Sequence, residues 1–316
     1  MMIKPLLWAV SPGGTKGNLT IFIFHRVLSQ PDELFPDEPD VSRFNEILGW
    51  IKHWFNILPL DKATRLLQEN KLPPRAAAIT FDDGYADNYT NALPILKKHG
   101  LCATFFIATG FLDGGKMWND IIIESIRNYR SAELDLSHVK LGTFHTATLE
   151  DKKRTIMEIL MSLKYRPIDE RTTTAYEVAN AIGAELPTNL MMTHSQLLAM
   201  HKEGMQIGAH TVSHPILSKT PLQEARREIS ESKTQLEQLL GEKISLFAYP
   251  NGKAGVDFHP EHARLVQELG FDAAVTTDWG TAHRCTNAYT LPRFTPWDKS
   301  RTRFGLRLLR NFSSTL

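Results

Sequence analysis

The 316-residue chain has only two cysteines, Cys102 and Cys285, and neither has a CxxC partner. One disulfide is the most it can form, so a disulfide framework is excluded, and two scattered thiols point to a reducing compartment, the cytoplasm. Long apolar runs are missing as well. The run over residues 1–10 holds a lysine and stops at Ser11-Pro12-Gly13-Gly14, which is too short for a membrane span or for the apolar core of a secretory signal. There is no excess of either charge: 36 Lys plus Arg stand against 35 Asp plus Glu, a formal net charge of +1. No whole-chain field therefore recruits nucleic acid or an anionic membrane, and a neutral substrate fits. Repeats and low-complexity tracts are also lacking. What remains is 42% hydrophobic, 9% aromatic and 22% charged, ordinary globular usage that excludes disordered and fibrous classes.

Six short apolar runs recur along the chain, at 19–24, 76–81, 103–108, 206–209, 246–249 and 273–276. Each reads as a buried strand. Helical patterns lie between them. The runs 93–99 and 261–269 are followed by Gly100 and Gly270, where a helix end takes a left-handed residue. After the fourth strand, Thr220 reads as an N-cap, Pro221 as the first turn, Gln223 as the partner in a capping box and Gly241 as the stop, with Leu222, Ala225, Ile229, Leu236 and Leu239 at helical spacing. Repeated strand-then-helix units with near-continuous apolar strands predict an α/β fold with a parallel sheet, open or closed into a barrel, and helices outside it. Residues 114–187 break the rhythm with two or three helical stretches, one opening at Thr148-Leu149-Glu150-Asp151. We read the chain, 1–316, as one catalytic domain with this helical insertion as a lid or an interaction surface.

Two constellations carry chemistry. Thr80-Phe81-Asp82-Asp83-Gly84 ends the second strand, at the edge where parallel α/β folds bind ligands. Adjacent carboxylates repel, so they need a cation or a shared proton; an isolated Asp-Asp-Gly is also an ordinary turn. His210-Thr211-Val212-Ser213-His214 follows the fourth strand. Two imidazoles four residues apart reach one cation if the segment makes a helical turn, although in a chain with 12 histidines such a pair also arises by accident. Thr211 stands where a zinc protease helix has glutamate. Two histidines and one aspartate make a three-ligand site with open positions.

These two segments, with Phe247-Ala248-Tyr249-Pro250-Asn251-Gly252, resemble the three motifs of the polysaccharide deacetylase family, also called carbohydrate esterase family four or the nodulation-type deacetylase homology domain. The resemblance runs from about residue 19 to 293, outside the insertion and the C-terminal tail. It implies a distorted (β/α)7 barrel and metal-dependent hydrolysis of N-acetyl groups on a polysaccharide or oligosaccharide, in surface-polysaccharide metabolism. The implied partner is an N-acetylated glycan, with no nucleic acid and no membrane span. Asp83, His210 and His214 would hold a divalent metal, Zn²⁺ first, with Co²⁺, Ni²⁺ or Mn²⁺ as alternatives. Asp82 would be the general base, the two neighbouring aspartates facing opposite ways as on a strand.

The resemblance also implies an oxyanion donor in the backbone N–H of Asn251. Ala248 and Asn251 stand where many members have an arginine that holds the base and an aromatic residue. Arg293 in Leu291-Pro292-Arg293-Phe294 is the candidate replacement, or else an ordinary surface salt bridge. No strand ending in histidine follows residue 285, whereas Ile21-Phe22-Ile23-Phe24-His25 has that form. It resembles the circularly permuted members, whose general acid precedes the first motif. His25 is therefore the candidate acid, since an imidazole suits amine protonation at neutral pH; a hydrogen-bonded core histidine is the other reading. Trp279 is a candidate wall for the acetyl methyl or a core residue, and Tyr85, Trp118 and Trp297 are candidates for stacking on sugar or for packing. Asp257, His259 and His262 read as surface residues or a helix cap. Because Ala248 and Asn251 depart from the pattern, a glycan-binding module of weak activity is an alternative, as is a deacylase of another small amide.

Overall fold

A computed structural model describes residues 3–313. Its strands are β1 Leu19–Phe24, β2 Asn56–Ile57, β3 Ala76–Phe81, β4 Thr104–Ile107, β5 Glu133–Asp135, β6 Thr143–His145, β7 Gln206–Ala209, β8 Leu246–Ala248 and β9 Ala273–Val275. Six of these cover the apolar runs picked out above, three with the same ends and three one residue shorter at one end or both. The short β2 and the β5–β6 hairpin were not expected. They carry too few alternating residues to register as periodicity.

All pairings in the main sheet are parallel, in the order β1-β3-β4-β7-β8-β9, with β2 beside the start of β3. Parallel neighbours need crossovers, and helices such as Leu93–His99, Leu222–Leu240 and Pro260–Glu268 supply them. The two sheet edges are joined by the extended segment 291–294. Leu291 exchanges backbone hydrogen bonds with Ala274 and Thr276 on the β9 side, at 2.9 and 2.8 Å, and Phe294 with Ile21 and Ile23 of β1, at 2.8 and 3.1 Å. The architecture is thus a distorted α/β barrel whose closing element is too irregular to read as a strand.

Strand parity divides the core. Phe22, Ala77, Ile79, Phe81, Phe105 and Phe247 pack outward with the helices, whereas Leu19, Ile21, Ala76, Ala78, Phe106, Ala248 and Leu291 form a second cluster. Each strand therefore buries both faces, which is why it reads as a continuous apolar run. Ala76, Ala78, Thr80 and Asp82 share one parity, so the carboxylate of Asp82 continues the row of small residues in that second cluster.

The helix Leu222–Leu240 corrects one reading. Its N-cap is Pro221, without a side-chain cap. The Thr220 hydroxyl donates instead to the Ile216 carbonyl at 3.0 Å, closing the preceding 3-10 turn, and Leu222 is exposed. By contrast Thr148 and Asp151 do form a capping box at the head of Leu149–Leu163. Between residues 114 and 187 lie the helices Trp118–Arg127, Leu149–Leu163 and Ile168–Ile182 and the β5–β6 hairpin. Ile122, Ile126, Ile156, Ile159, Leu163 and Val178 of these elements share a hydrophobic cluster separate from the barrel core, which Leu34 joins from the loop after β1.

Phe294 is fully buried, edge-on to Phe22 and Phe304, in the segment that closes the sheet. Phe294→Ala is expected to lower unfolding free energy by about 3–5 kcal/mol, read as a reduced urea midpoint.

Candidate active site

The three motifs and His25 meet at the C-terminal ends of the parallel strands. Phe24 and Phe81 are paired at the ends of β1 and β3, so His25 and Asp82 leave neighbouring strands together. The Asp82 N–H donates to the Phe24 carbonyl at 3.0 Å. His210 follows β7, and Asn251 stands in the turn after β8. A cavity of about 450 Å³ is lined by His25, Asp82, Asp83, His210, His214, Asn251 and Thr277 on the barrel side, and by Met117, Trp118, Met157, Leu160, Met161, Lys164 and Arg171 on the other.

The two aspartates have separate surroundings. Asp83 Oδ1 lies 3.4 Å from His210 Nε2 and 3.4 Å from His214 Nε2. The ligand atoms of these three residues all lie within 4.8 Å of one another, a grouping able to hold a metal ion. His210 Nδ1 is 2.8 Å from the Ala248 carbonyl, which makes it the donor there and leaves Nε2 turned to Asp83. Two nitrogens and one oxygen on a half-enclosed site suit a transition metal with positions left for water and substrate. Asp82 faces away, to Arg293. The guanidinium Nη1 donates to Asp82 Oδ1 at 2.7 Å and Nη2 to Oδ2 at 2.6 Å, while Nε donates to the Thr276 carbonyl at 2.7 Å. This pair is no surface bridge, since Arg293 is fully buried and Asp82 is 2% exposed.

The protonation states follow. Burial pushes the Asp82 carboxyl up, but the charge and hydrogen bonds of Arg293 outweigh it and hold it below the usual carboxylate range. Burial likewise raises Asp83, and the His210 hydrogen bond with the charges of His214 and His25 brings it well below that range. Burial draws the His214 imidazole down to about 4, so it is neutral at pH 7. For His210, burial acts downward, and the hydrogen bond that it donates to Asp83 and the charges of both aspartates raise it overall. An anionic Asp83 beside a neutral His214 is the state a metal needs, and binding would displace the proton that His210 otherwise favours.

Backbone turns do the steering that the sequence did not show. Asp83, Thr211, His214 and Asn251 all have positive φ, at 75°, 64°, 53° and 59°. The aspartates therefore diverge through a left-handed turn at Asp83 rather than through strand alternation. His210 and His214 also do not lie on a helical turn. Their loop is held by Glu228, whose Oε2 accepts from the N–H groups of Val212 and Ser213 at 2.9 and 2.8 Å and whose Oε1 accepts from the Ser213 hydroxyl at 2.6 Å. A signal for Glu228 exists: it is a charge on the apolar stripe of its helix, beside Ala225, Ile229 and Ser232. Asn251 is fixed by the Thr277 hydroxyl, which donates to its carbonyl at 2.6 Å; its N–H has no acceptor among the described residues.

Other expectations need correction. Trp279 is neither a cavity wall nor core; it is 45% exposed, with Arg307 over its ring. Trp297 is also exposed beside Arg307. Tyr85 is buried, its hydroxyl donating to Asp120 at 3.1 Å, whereas Trp118 does line the cavity. Asp257 and His262 are buried rather than on the surface, Asp257 accepting from the Lys253 N–H, whereas the helix-cap reading holds for the histidines: His259 is the N-cap of Pro260–Glu268, and its N–H donates to His262 Nδ1 at 3.0 Å.

A family model for polysaccharide deacetylases matches residues 69–130 and 168–274, more than half of the chain. YxkH of Bacillus subtilis (strain 168), which carries the same family's name, is 21% identical over 277 residues, covering 87% of this chain and 70% of that protein. A poly-β-1,6-N-acetyl-D-glucosamine N-deacetylase of Staphylococcus aureus is 40% identical over 70 residues, 22% of this chain and 24% of the relative. Among solved structures, the Streptococcus pyogenes deacetylase PplD aligns over 93% of this chain and 98% of its own, with TM-score 0.61 and 20% identity. IcaB from Ammonifex degensii aligns over 92% and 96%, with TM-score 0.59 and 18% identity. At such identities the structural likeness speaks for the fold.

Arg293→Met leaves the Asp82 charge buried without a counter-ion, and a loss of about 3–5 kcal/mol in unfolding free energy at pH 7 is expected. In the intact protein the depressed Asp82 pKa contributes stability above the ordinary carboxylate pKa, which is lost as pH falls through the folded value. In the variant, burial alone favours the protonated acid. The stability gap measured by urea titration should therefore narrow as pH is lowered toward the carboxylate range.

Proposed function

Because this chain belongs to the polysaccharide deacetylase family, we propose that it hydrolyses the acetamide of an N-acetylated glycan with Asp83, His210 and His214 as metal ligands and Asp82 as general base. The observation that carries this reading is the division of two adjacent carboxylates, one turned to a pair of imidazoles and the other gripped by a buried arginine, in one cavity. The family's chemistry is metal-dependent; Zn²⁺ is our choice from the two-nitrogen, one-oxygen donor set, with Co²⁺, Ni²⁺ or Mn²⁺ possible in its place. A metal bound there supplies Lewis-acid polarisation of the acetamide carbonyl and lowers the pKa of water.

The chain's own residues do the rest. Asp82, ionised beside Arg293, accepts the proton of the attacking water. Arg293 fixes the plane of that carboxylate through a two-pronged pair, which is the role left open by Ala248. The Asn251 N–H donates to the developing oxyanion, an interaction typically worth about 2.7–4 kcal/mol in the barrier. His25, half-buried in the same cavity, donates a proton to the leaving amine. The departures at Ala248 and Asn251 motivate the alternative of a glycan-binding or weakly active module. Arg293 removes the part of that motive that rests on Ala248, because Asp82 has its cation from another part of the chain.

The S. aureus relative is named for a polymer of N-acetyl-D-glucosamine, and a 2-acetamido sugar in surface-polysaccharide metabolism is the substrate class we infer. Two free thiols, Cys102 and Cys285, support a cytoplasmic setting. No helix of the described residues is long and apolar enough to cross a membrane.

Asp82→Asn is expected to retain bound metal and to lose about 10²–10⁴-fold in acetate release. Asp83→Asn should lose metal and activity together. Metal content by mass spectrometry and acetate release from N-acetylated oligosaccharides check both, with Zn²⁺, Co²⁺, Ni²⁺ and Mn²⁺ restored singly to chelated protein. Equal metal loss in the two variants would reverse the assignment, and full activity in metal-free protein would sink it.

A further inference from the structure

The wall opposite the two aspartates carries a cation that has no counter-ion among the described residues. Arg171 lies on the buried face of Ile168–Ile182, beside Thr174, Ala175 and Val178, and is 3% exposed. Its Nη1 donates to the Lys164 carbonyl at 3.1 Å, its guanidinium carbon sits 4.9 Å over the Trp118 ring, and its Nε has no hydrogen-bond partner. Burial, unrelieved by any carboxylate, pushes it down to about 10, so it remains charged at pH 7. Lys164, at the end of Leu149–Leu163, lines the same cavity; its ammonium sits 5.3 Å over the Tyr165 ring, and no carboxylate of the described residues pairs with it. The lining has two carboxylates, and both are engaged: Asp82 by Arg293, Asp83 by the imidazoles.

A buried charge is retained at a cost of several kcal/mol unless something pairs with it. Arg293, buried like Arg171, has Asp82 as its partner, and even the half-buried Arg26 has Asp87 at 2.8 Å. Arg171 has a backbone carbonyl and an aromatic face, both of which hold a guanidinium in place while leaving its charge to an incoming group. From this geometry we propose that Arg171 and Lys164 form an anion subsite, selecting an N-acetylated sugar that carries a phosphate or carboxylate next to the acetamido group. The inference rests on reading this cavity as the glycan site, and it narrows the substrate from a neutral glycan to an anionic one. A guanidinium matches either oxyanion with two parallel hydrogen bonds, and the ammonium adds a movable third donor.

The test is calorimetric binding to metal-loaded protein of three probes: N-acetylglucosamine, N-acetylglucosamine 1-phosphate and N-acetylmuramic acid, which are neutral, phosphate-bearing and carboxylate-bearing. The proteins are wild type, Lys164→Gln, Arg171→Gln and the double variant. Lys164 is only partly buried, so its variant folds even if Arg171→Gln does not. At least one anionic probe should bind wild type about tenfold or more tightly than the neutral sugar, and that ratio should shrink in Lys164→Gln and approach one in the double variant. Whichever anionic probe shows the advantage identifies the group. Equal affinities for all three probes in wild type would overturn the subsite, and so would an advantage undiminished in Lys164→Gln and Arg171→Gln, which would put the anion on the metal centre instead. Acetate release is scored alongside. Turnover with no anion preference leaves the deacetylase reading intact and removes this one, whereas an anion preference with no acetate released from any sugar does the reverse.

Discussion

One ion pair ties the barrel to the site. Arg293 and Asp82 are both buried, and each would be expensive to bury alone, so neither residue's position makes sense without the other. The guanidinium spends its donors on several elements at once: the Asp82 carboxylate and the Thr80 hydroxyl at the end of β3, and the Thr276 carbonyl beyond β9. Thr80 in turn donates to the Phe22 carbonyl of β1. The segment that brings Arg293 is also the one that joins the sheet's two edges. Closing the barrel and orienting the carboxylate are therefore the same event, and parity along β3, which sets small residues at 76, 78 and 80, leaves the space in which it happens.

The chemistry that surrounds this pair comes from turns rather than from regular elements. Asp83, Thr211, His214 and Asn251 hold left-handed backbones that L-residues seldom adopt, although Asp, Asn and His tolerate them better than most. Such conformations persist only where the surroundings over-determine them. Here the surroundings can be named: Glu228 under the histidine loop, the Ala248 carbonyl behind His210 and the Thr277 hydroxyl on Asn251. Rigid strands place the turn, and these tethers set its direction.

That division also explains what was legible in the sequence. The parallel strands could be read because burial on both faces makes them continuous apolar runs, and the motifs could be read because they sit at strand ends. The closing segment 291–294 lacks that signature, so Arg293 was open to a surface reading until its partner was seen. The direction of each turn was unreadable, since φ at Asp83 or His214 depends on contacts with distant residues. Thr220 looked like a cap because caps are judged by residue type, while its hydroxyl was already committed to the turn before. Glu228 and Arg171 are legible in principle: they are charges set in the apolar stripes of their helices, a pattern that asks for a partner in each case.

Asp82 and Arg293 stand 211 residues apart. At ordinary rates of translation, about 5–20 residues per second, roughly 10–40 s pass between the synthesis of the carboxylate and that of its counter-ion. During that interval the nascent chain can already contain Asp83, His210 and His214, yet Asp82 is a lone carboxylate that burial would protonate. The site is thus unable to mature in pieces: a chain stalled or cut after the histidines would carry the Asp83, His210 and His214 grouping but leave the Asp82 carboxylate without its partner, and the two halves of the site come together only once Arg293 has been made.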